Sequence, residues 1–128
     1  MSRDEIKVVD VDHVVLNVAD VERSLEFYCG ELGLAPVRVD EWRRGEVPFP
    51  SARVTAATII DLFATSRTGV NADHLCLVVA PIDLDALAAS GRFTVVEGPG
   101  RRFGARGDGT SLYVLDPDGN TVELRYYD

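Results

Sequence analysis

The sequence predicts an α+β fold made of two βαβββ modules, the first over about residues 8–66 and the second over about 72–128, together forming one domain. Three observations predict it. HVVLNVA at 13–19 returns as HLCLVVA at 74–80, with His, Leu, Val and Ala in matching places (74 − 13 = 61 positions on). Each copy has the character of a strand and is followed by a short stretch whose apolar residues recur at helical spacing. Further extended segments, separated by glycine and proline, then fill each half to its end.

In the first module, residues 11–18 form the opening strand, with Val14, Leu16 and Val18 on one face and His13, Val15 and Asn17 on the other. Asp20 is placed as an N-cap, its short carboxylate accepting an orphan amide of the first helical turn. Val21, Leu25, Tyr28 and Leu32 make the apolar stripe of the helix, and Gly33 ends it as a left-handed cap residue. Three extended segments are expected next, at 35–42, around 53–56 and at 58–64, with Gly45, Pro48 and Pro50 marking the turn region between them.

The second module repeats this order. Residues 74–79 form a strand, 82–89 a short helix capped near Asp83 and closed by Gly91, and 93–97, 111–115 and 121–126 three further strands. Asp116, Pro117, Asp118, Gly119 and Asn120 form a hairpin loop between the last two, proline suiting the second turn position and glycine a positive φ. Asp61-Leu62 on the last strand of the first module answers Glu123-Leu124 on the last strand of the second, at 61 − 13 = 48 and 123 − 74 = 49 positions after the opening histidines.

A chain of 128 residues buries roughly two-thirds of its unfolded surface, so it needs no disulfide to fold. A hydrophobic fraction of 46% and a charged fraction of 27%, without low-complexity tracts, point to a packed domain. The net charge of -8 and pI near 4.7 have the wrong sign for nucleic acid or anionic lipid and favour a neutral, cationic or metal-chelated small molecule. The longest apolar run, 75–82, is far shorter than the roughly 20 residues of a membrane span. Residues 2–5 are polar and carry no signal-peptide core, so a cytoplasmic protein is expected. Cys29 and Cys76 form neither a CxxC pair nor a thiolate zinc cluster. Cys76 lies two residues after His74, on the same strand face.

His13 and His74 are the two histidines of the chain, and each opens the first strand of its module. Taken singly, each histidine reads as a hydrogen-bonded core residue, and Glu123 can pair with Arg125, two residues on and on the same face. An unpartnered polar group on a buried strand costs a few kcal/mol, and the coincidence of these residues at matching points of a duplicated unit favours a metal as the shared partner. Imidazole and carboxylate without thiolate suit one divalent transition metal, Zn, Ni, Mn, Co or Fe. Two histidines and one carboxylate leave positions open for substrate, as in catalytic sites. His13, His74 and Glu123 are therefore the expected metal ligands, and Asp61, one methylene shorter than glutamate, is a candidate fourth.

DHVVLNVADVERSLEFYCGELGL at 12–34 resembles the first-module signature of the vicinal oxygen chelate superfamily, the glyoxalase, bleomycin-resistance and dioxygenase group, with FY followed by LGL at the helix end. SLYVLDPDGNTVEL at 111–124 resembles its second-module signature, and GARGDGTSLYVLDPDGN at 104–120 is similar to glyoxalase-domain and virulence-associated members. The resemblance covers nearly the whole chain. It implies paired βαβββ modules whose strands curl into a half-open barrel around the metal, and it puts His13, His74 and Glu123 on the family's metal positions. Asp61 falls where glyoxalase-like members carry a glutamate. That departure weakens the case for a true glyoxalase I and leaves the three-ligand arrangement of extradiol dioxygenases and thiol transferases open.

The superfamily's common step is binding of two adjacent substrate oxygens to the metal. A lyase or isomerase of the glyoxalase type, acting on a small oxygenated substrate with Glu123 or Asp61 doubling as base, is the leading expectation. The alternatives are extradiol oxygen insertion on Fe(II) and metal-free sequestration of an antibiotic, which intact His13, His74 and Glu123 disfavour. Exposed strand edges and the habit of superfamily members of this length predict a homodimer. The glycine-rich run 98–109, with Arg101, Arg102 and Arg106, reads as a flexible loop or an anion contact and lacks the spacing of a phosphate-binding loop. Ser111 and Tyr113 share a strand face, and Trp42, Phe49 and Phe63 wall a pocket or fill the core.

Overall fold

The computed structural model describes residues 5–66, 69, 71–115 and 119–128. They divide into two compact units, His13–Asp73, and His74–Asp128 together with the chain up to Asp12. Among the described residues no helix is long and apolar enough to cross a membrane.

In the first unit, β1 (Val8–Val18) contributes its part from His13 onward and is followed by α1 (Val21–Leu25), β2 (Ala35–Val37), α2 (Val39–Arg43), β3 (Ser51–Arg53) and β4 (Ile59–Ala64). The strands lie in the order β2-β3-β4-β1, with β1 and β4 parallel and the other pairs antiparallel. The Asp20 carboxylate caps α1 by accepting from the Arg23 amide at 3.2 Å. Val21 and Leu25 then pack on Leu62, with Val18, Tyr28, Val39, Trp42 and Ile60 around them. Strand periodicity does the rest: Ile60 and Leu62 face this core, so Asp61 turns to the other face.

The second unit repeats the plan with β5 (Ala72–Val79), α3 (Leu84–Ala89), β6 (Val95–Gly104), β7 (Gly107–Leu115) and β8 (Thr121–Tyr126). Strand order is β5-β8-β7-β6, again with the first and last strands of the unit parallel and the others antiparallel. Asp83 caps α3 by accepting from the Ala86 amide at 3.0 Å. Leu84 and Leu87 pack on Val79, Leu112, Val114 and Leu124. Alternation along each strand sends His74, Cys76, Ser111, Tyr113, Glu123 and Arg125 to the opposite face. Each unit is thus a βαβββ module with a helix on one sheet face and buried polar groups on the other.

Four expectations are corrected. The extended segment 35–42 is strand only over β2, because Arg38 takes a left-handed φ of 59° and starts α2. That conformation is held by the Arg38 guanidinium, which donates to the Phe49 carbonyl at 3.2 Å and lies 5.0 Å from the Phe49 ring centroid. The segment around 53–56 is the end of β3 and a tight turn, in which Val54 and Thr55 amides donate to the Thr58 carbonyl. The first helix is α-helical only to Leu25 and continues as a π-helical turn over Glu26–Glu31, with the Leu32 amide reaching back to Phe27. Gly33 ends it at φ 76°, as expected.

The fourth correction concerns the glycine-rich run, which is a β6–β7 hairpin rather than a flexible loop. Gly98 sits at an irregularity of the ladder with φ 93°, where an added Cβ would meet the Ser111 carbonyl oxygen at 2.7 Å. Arg101 pairs with Asp128 at 3.0 Å and Arg102 approaches Glu97 at 3.6 Å. Of the predicted hairpin loop, residues 116–118 lie outside the described residues, and Gly119 has the expected positive φ, 86°.

Candidate functional site

In the first unit, the parallel β1–β4 register sets Val15 opposite Asp61, so His13, two residues earlier, shares the Asp61 face. His13 is 2% and Asp61 1% exposed. His13 Nε2 lies 3.8 Å from Asp61 Oδ2, beyond direct hydrogen-bond range. Ser51, directly opposite Asp61 on β3 and fully buried, donates its hydroxyl to Asp61 Oδ1.

In the second unit, the parallel β5–β8 register sets Cys76 opposite Glu123, so His74 stands in the same relation to Glu123 as His13 to Asp61. His74 Nε2 is 3.0 Å from Glu123 Oε1. Ser111 donates to the other oxygen, Oε2, at 2.7 Å. The geometry therefore recurs in each unit as a histidine on the first strand, a serine on the third and a carboxylate on the fourth. The one-position mismatch in sequence spacing disappears in the ladder, where both carboxylates face the residue two after the histidine.

The two copies differ in reach. Asp61 bonds the serine directly opposite, whereas Glu123 bonds Ser111, which pairs with Arg125 one step along the same face. Two donors each about 2.1 Å from one ion and about 90° apart stand about 3.0 Å from each other, so the His74–Glu123 separation suits a shared ion. The His13–Asp61 separation is 0.8 Å wider (3.8 − 3.0), as a side chain one methylene shorter dictates. The donors are nitrogen and oxygen, His13, Asp61 and Glu123 buried and His74 nearly so, with each carboxylate backed by a serine, which fits a divalent transition metal.

The expected pairing of Glu123 with Arg125 is also present, at 3.7 Å from Nε to Oε2 with both side chains fully buried. Arg125 is held from its far side by Asp12 at 3.4 Å and by the Arg102 carbonyl. Asp12 further accepts from the Ala105 amide at 2.9 Å and from the Tyr127 hydroxyl. Burial lowers the Arg125 pKa, but the negative charge of Glu123 and its other acidic neighbours outweighs that and holds it above the ordinary value. Burial, reinforced by Glu123, pushes the Cys76 thiol and the Tyr113 hydroxyl up. The Tyr113 ring packs edge-on against His74, centroids 5.4 Å apart.

Sequence reasoning missed Ser51, Asp12 and Tyr127. Asp12 and Tyr127 meet across 115 positions, a contact no local pattern announces. Ser51 was within reach of a simple question: which polar residue on the neighbouring strand shares the carboxylate's face. The apolar hollow of about 650 Å³ in the second unit, lined by Phe93, Val114, Val122 and Leu124, lies on the helix face and not beside His74. Trp42 fills the first core, and Phe49 stacks edge-on with Phe63, centroids 6.2 Å apart.

Residues 10–124 match the family described as the Glyoxalase/Bleomycin resistance protein/Dioxygenase superfamily. A virulence protein of Salmonella typhimurium is 31% identical over 121 residues, which span 91% of this chain and 83% of that protein. Among solved structures, the Mn(II)-bound glyoxalase from Novosphingobium aromaticivorans superposes with a TM-score of 0.70 at 20% identity, over 95% of this chain and 40% of the other. Methylmalonyl-CoA epimerase from Mycobacterium tuberculosis superposes with a TM-score of 0.65 at 23% identity, over 100% of this chain and 93% of the other. These likenesses between structures show a glyoxalase-like fold.

Proposed function

Because the chain belongs to the Glyoxalase/Bleomycin resistance protein/Dioxygenase superfamily, we propose that it is a metal-dependent lyase or isomerase that moves a proton on a small substrate carrying two adjacent oxygens. His13, His74 and Glu123, with Asp61 as fourth ligand, hold one divalent transition metal. The observation that carries this reading is the recurrence of one histidine, one carboxylate and one supporting serine on matching strands of both units.

A divalent metal bound there supplies Lewis acidity toward the two substrate oxygens. Asp61 is the base. Its Oδ1 is engaged with Ser51, so Oδ2, 3.8 Å from His13, would fill both roles in turn, ligand in the absence of substrate and, once substrate is bound, the atom that takes a proton from the substrate carbon and returns it. Glu123 serves as ligand, since its Oε1 sits 3.0 Å from His74 and its Oε2 is engaged by Ser111. Tyr113, kept protonated by burial, walls the His74 side. The protein acts as a homodimer, and a sedimentation mass near that of the 14.0 kDa monomer at micromolar concentration overturns that part.

The decisive experiment uses protein purified without a metal-scavenging tag. Elemental analysis finds one divalent metal per chain. In heavy water the loaded protein exchanges the carbon-bound proton of small α-oxygenated carbonyl compounds, and Asp61→Asn stops that exchange while leaving the protein folded. Absence of divalent-metal affinity near neutral pH overturns the reading in favour of sequestration. Catechol-dependent oxygen consumption by the iron-loaded protein overturns it in favour of extradiol chemistry.

A further inference from the structure

We propose that Ser111 is a positioning residue for Glu123, fixing Oε2 so that Oε1 is the oxygen offered to a metal. This rests on the metal reading of the preceding subsection. A carboxylate that turns freely offers either oxygen, or both, to a cation. Glu123 does not turn freely: Ser111 Oγ donates to Oε2 at 2.7 Å, and Arg125 Nε faces the same oxygen at 3.7 Å. The remaining oxygen, Oε1, is the one 3.0 Å from His74 Nε2.

Every support in this arrangement is itself fixed. Ser111 is 1% exposed and sits between β6 and β8, opposite Gly100 on one side and Arg125 on the other. Arg125 is fully buried and tied to Asp12 and to the Arg102 carbonyl. A hydroxyl turns to whichever acceptor is nearest, but this one has a carboxylate oxygen within ordinary hydrogen-bond distance, and a bond to an ionised group is among the stronger kinds.

The first unit carries the same device independently. Ser51 donates to Asp61 Oδ1, leaving Oδ2 as the oxygen nearer His13. In both units the serine takes the carboxylate oxygen away from the histidine. A serine placed only to fill strand space has no reason to make that choice twice. Partners that orient a ligating carboxylate typically change metal affinity by about 10–100-fold when removed.

The test is titration of metal-free protein with Mn(II) alone, read by calorimetry and by loss of the free-ion electron paramagnetic resonance signal. Ser111→Ala weakens Mn(II) binding by about 10–100-fold, Ser51→Ala shifts it in the same direction, and Ser111→Thr, which keeps the hydroxyl, restores most of the Ser111 loss. Circular dichroism of each variant establishes that it is folded. Wild-type affinity in folded Ser111→Ala protein overturns this inference alone, as does a Ser111→Thr protein as weak as Ser111→Ala. A wild-type protein that takes up no Mn(II) or other divalent metal overturns the metal reading and this inference with it.

Discussion

Cys76 stands directly opposite Glu123 in the parallel β5–β8 ladder, its thiol fully buried on the face that carries His74. Val15 occupies the matching place opposite Asp61 in the other unit. The carboxylate therefore lies across from a small apolar side chain in one copy and a thiol in the other. A thiolate is the metal-binding form of cysteine. Without a metal, burial and the negative charges of Glu123 and Asp12 push the Cys76 thiol up.

Val15 fills the matching place in the first unit without a thiol, so Cys76 is expected to serve packing, and Cys76→Val copies what the first unit already does. The variant keeps wild-type Mn(II) affinity and loses no more than about 1–3 kcal/mol for the added methyl group. In the native protein a thiol reagent labels the partly exposed Cys29 and spares Cys76, which reacts only after unfolding. Labelling of both thiols at equal rates in folded protein contradicts this.

Arg125 and Asp12 form a buried pair in which neither charge reaches water, and removing Asp12 leaves Glu123 as the remaining carboxylate beside Arg125. Asp12→Asn lowers stability by about 1–3 kcal/mol in urea unfolding, the cost of weakening buried charged hydrogen bonds whose cation keeps a second partner. Gly104→Ala acts on the same network from outside, since its Cβ would fall 1.3 Å from Arg125 Nη1 and 2.7 Å from Asp12 Oδ2. Gly107→Ala is the control. With φ 97° and no atom within 4 Å of the added Cβ, it costs only the backbone penalty of about 1–2 kcal/mol. Equal losses for the two glycine variants argue against the packing account.

Local features were legible in the sequence because their causes are local. β8 runs from Thr121 to Tyr126 as its alternation predicts, and Asp20 and Asp83 cap their helices with the amide three residues on. The histidine repeat fixed the correspondence of the two halves, and the ladders place Asp61 and Glu123 in equivalent positions. What was not legible depends on distant partners. Arg38 adopts its left-handed φ beside Phe49, 11 residues on. The run 98–109 looks unstructured to a composition argument because the pairing that orders it, Gly100 with Ser111 and Gly104 with Gly107, is a matter of register. Ser51 gains its meaning only when β3 is laid against β4.

The Tyr127 hydroxyl donates to Asp12, and burial together with that bond pushes its pKa up to about 12 from the ordinary 10.0. Because the folded value is the higher one, the stabilisation is fully present below the unfolded pKa and is lost as pH rises through the folded one. Wild-type protein is therefore more stable than Tyr127→Phe by a constant margin below pH about 10, and the margin closes between about 10 and 12. Urea midpoints of the two proteins across that range measure it. A margin that stays flat contradicts the role given to the hydroxyl.

The difference in reach between the two carboxylates yields the sharpest test of the metal reading. Asp61 Oδ2 lies 3.8 Å from His13 Nε2, whereas Glu123 Oε1 lies 3.0 Å from His74 Nε2, although each carboxylate faces the residue two after its histidine in the parallel ladder. Asp61→Glu supplies the missing methylene and brings the reach of the first unit's carboxylate toward that of the second. If Asp61 is a ligand held at the limit of its reach, the variant binds Mn(II) about tenfold more tightly, an increment of about 1.4 kcal/mol. The added group must fit beside Ser51 in a site only 1% exposed, so urea stability falls by about 1–3 kcal/mol at the same time. Tighter metal binding in a less stable protein is the opposite of what a general packing defect produces, since such a defect weakens both. Proton exchange slows in this variant, because the base that Asp61 provides becomes more firmly committed to the metal. Unchanged or weaker Mn(II) affinity in folded Asp61→Glu protein removes Asp61 from the ligand set and leaves His13, His74 and Glu123 as a three-residue site.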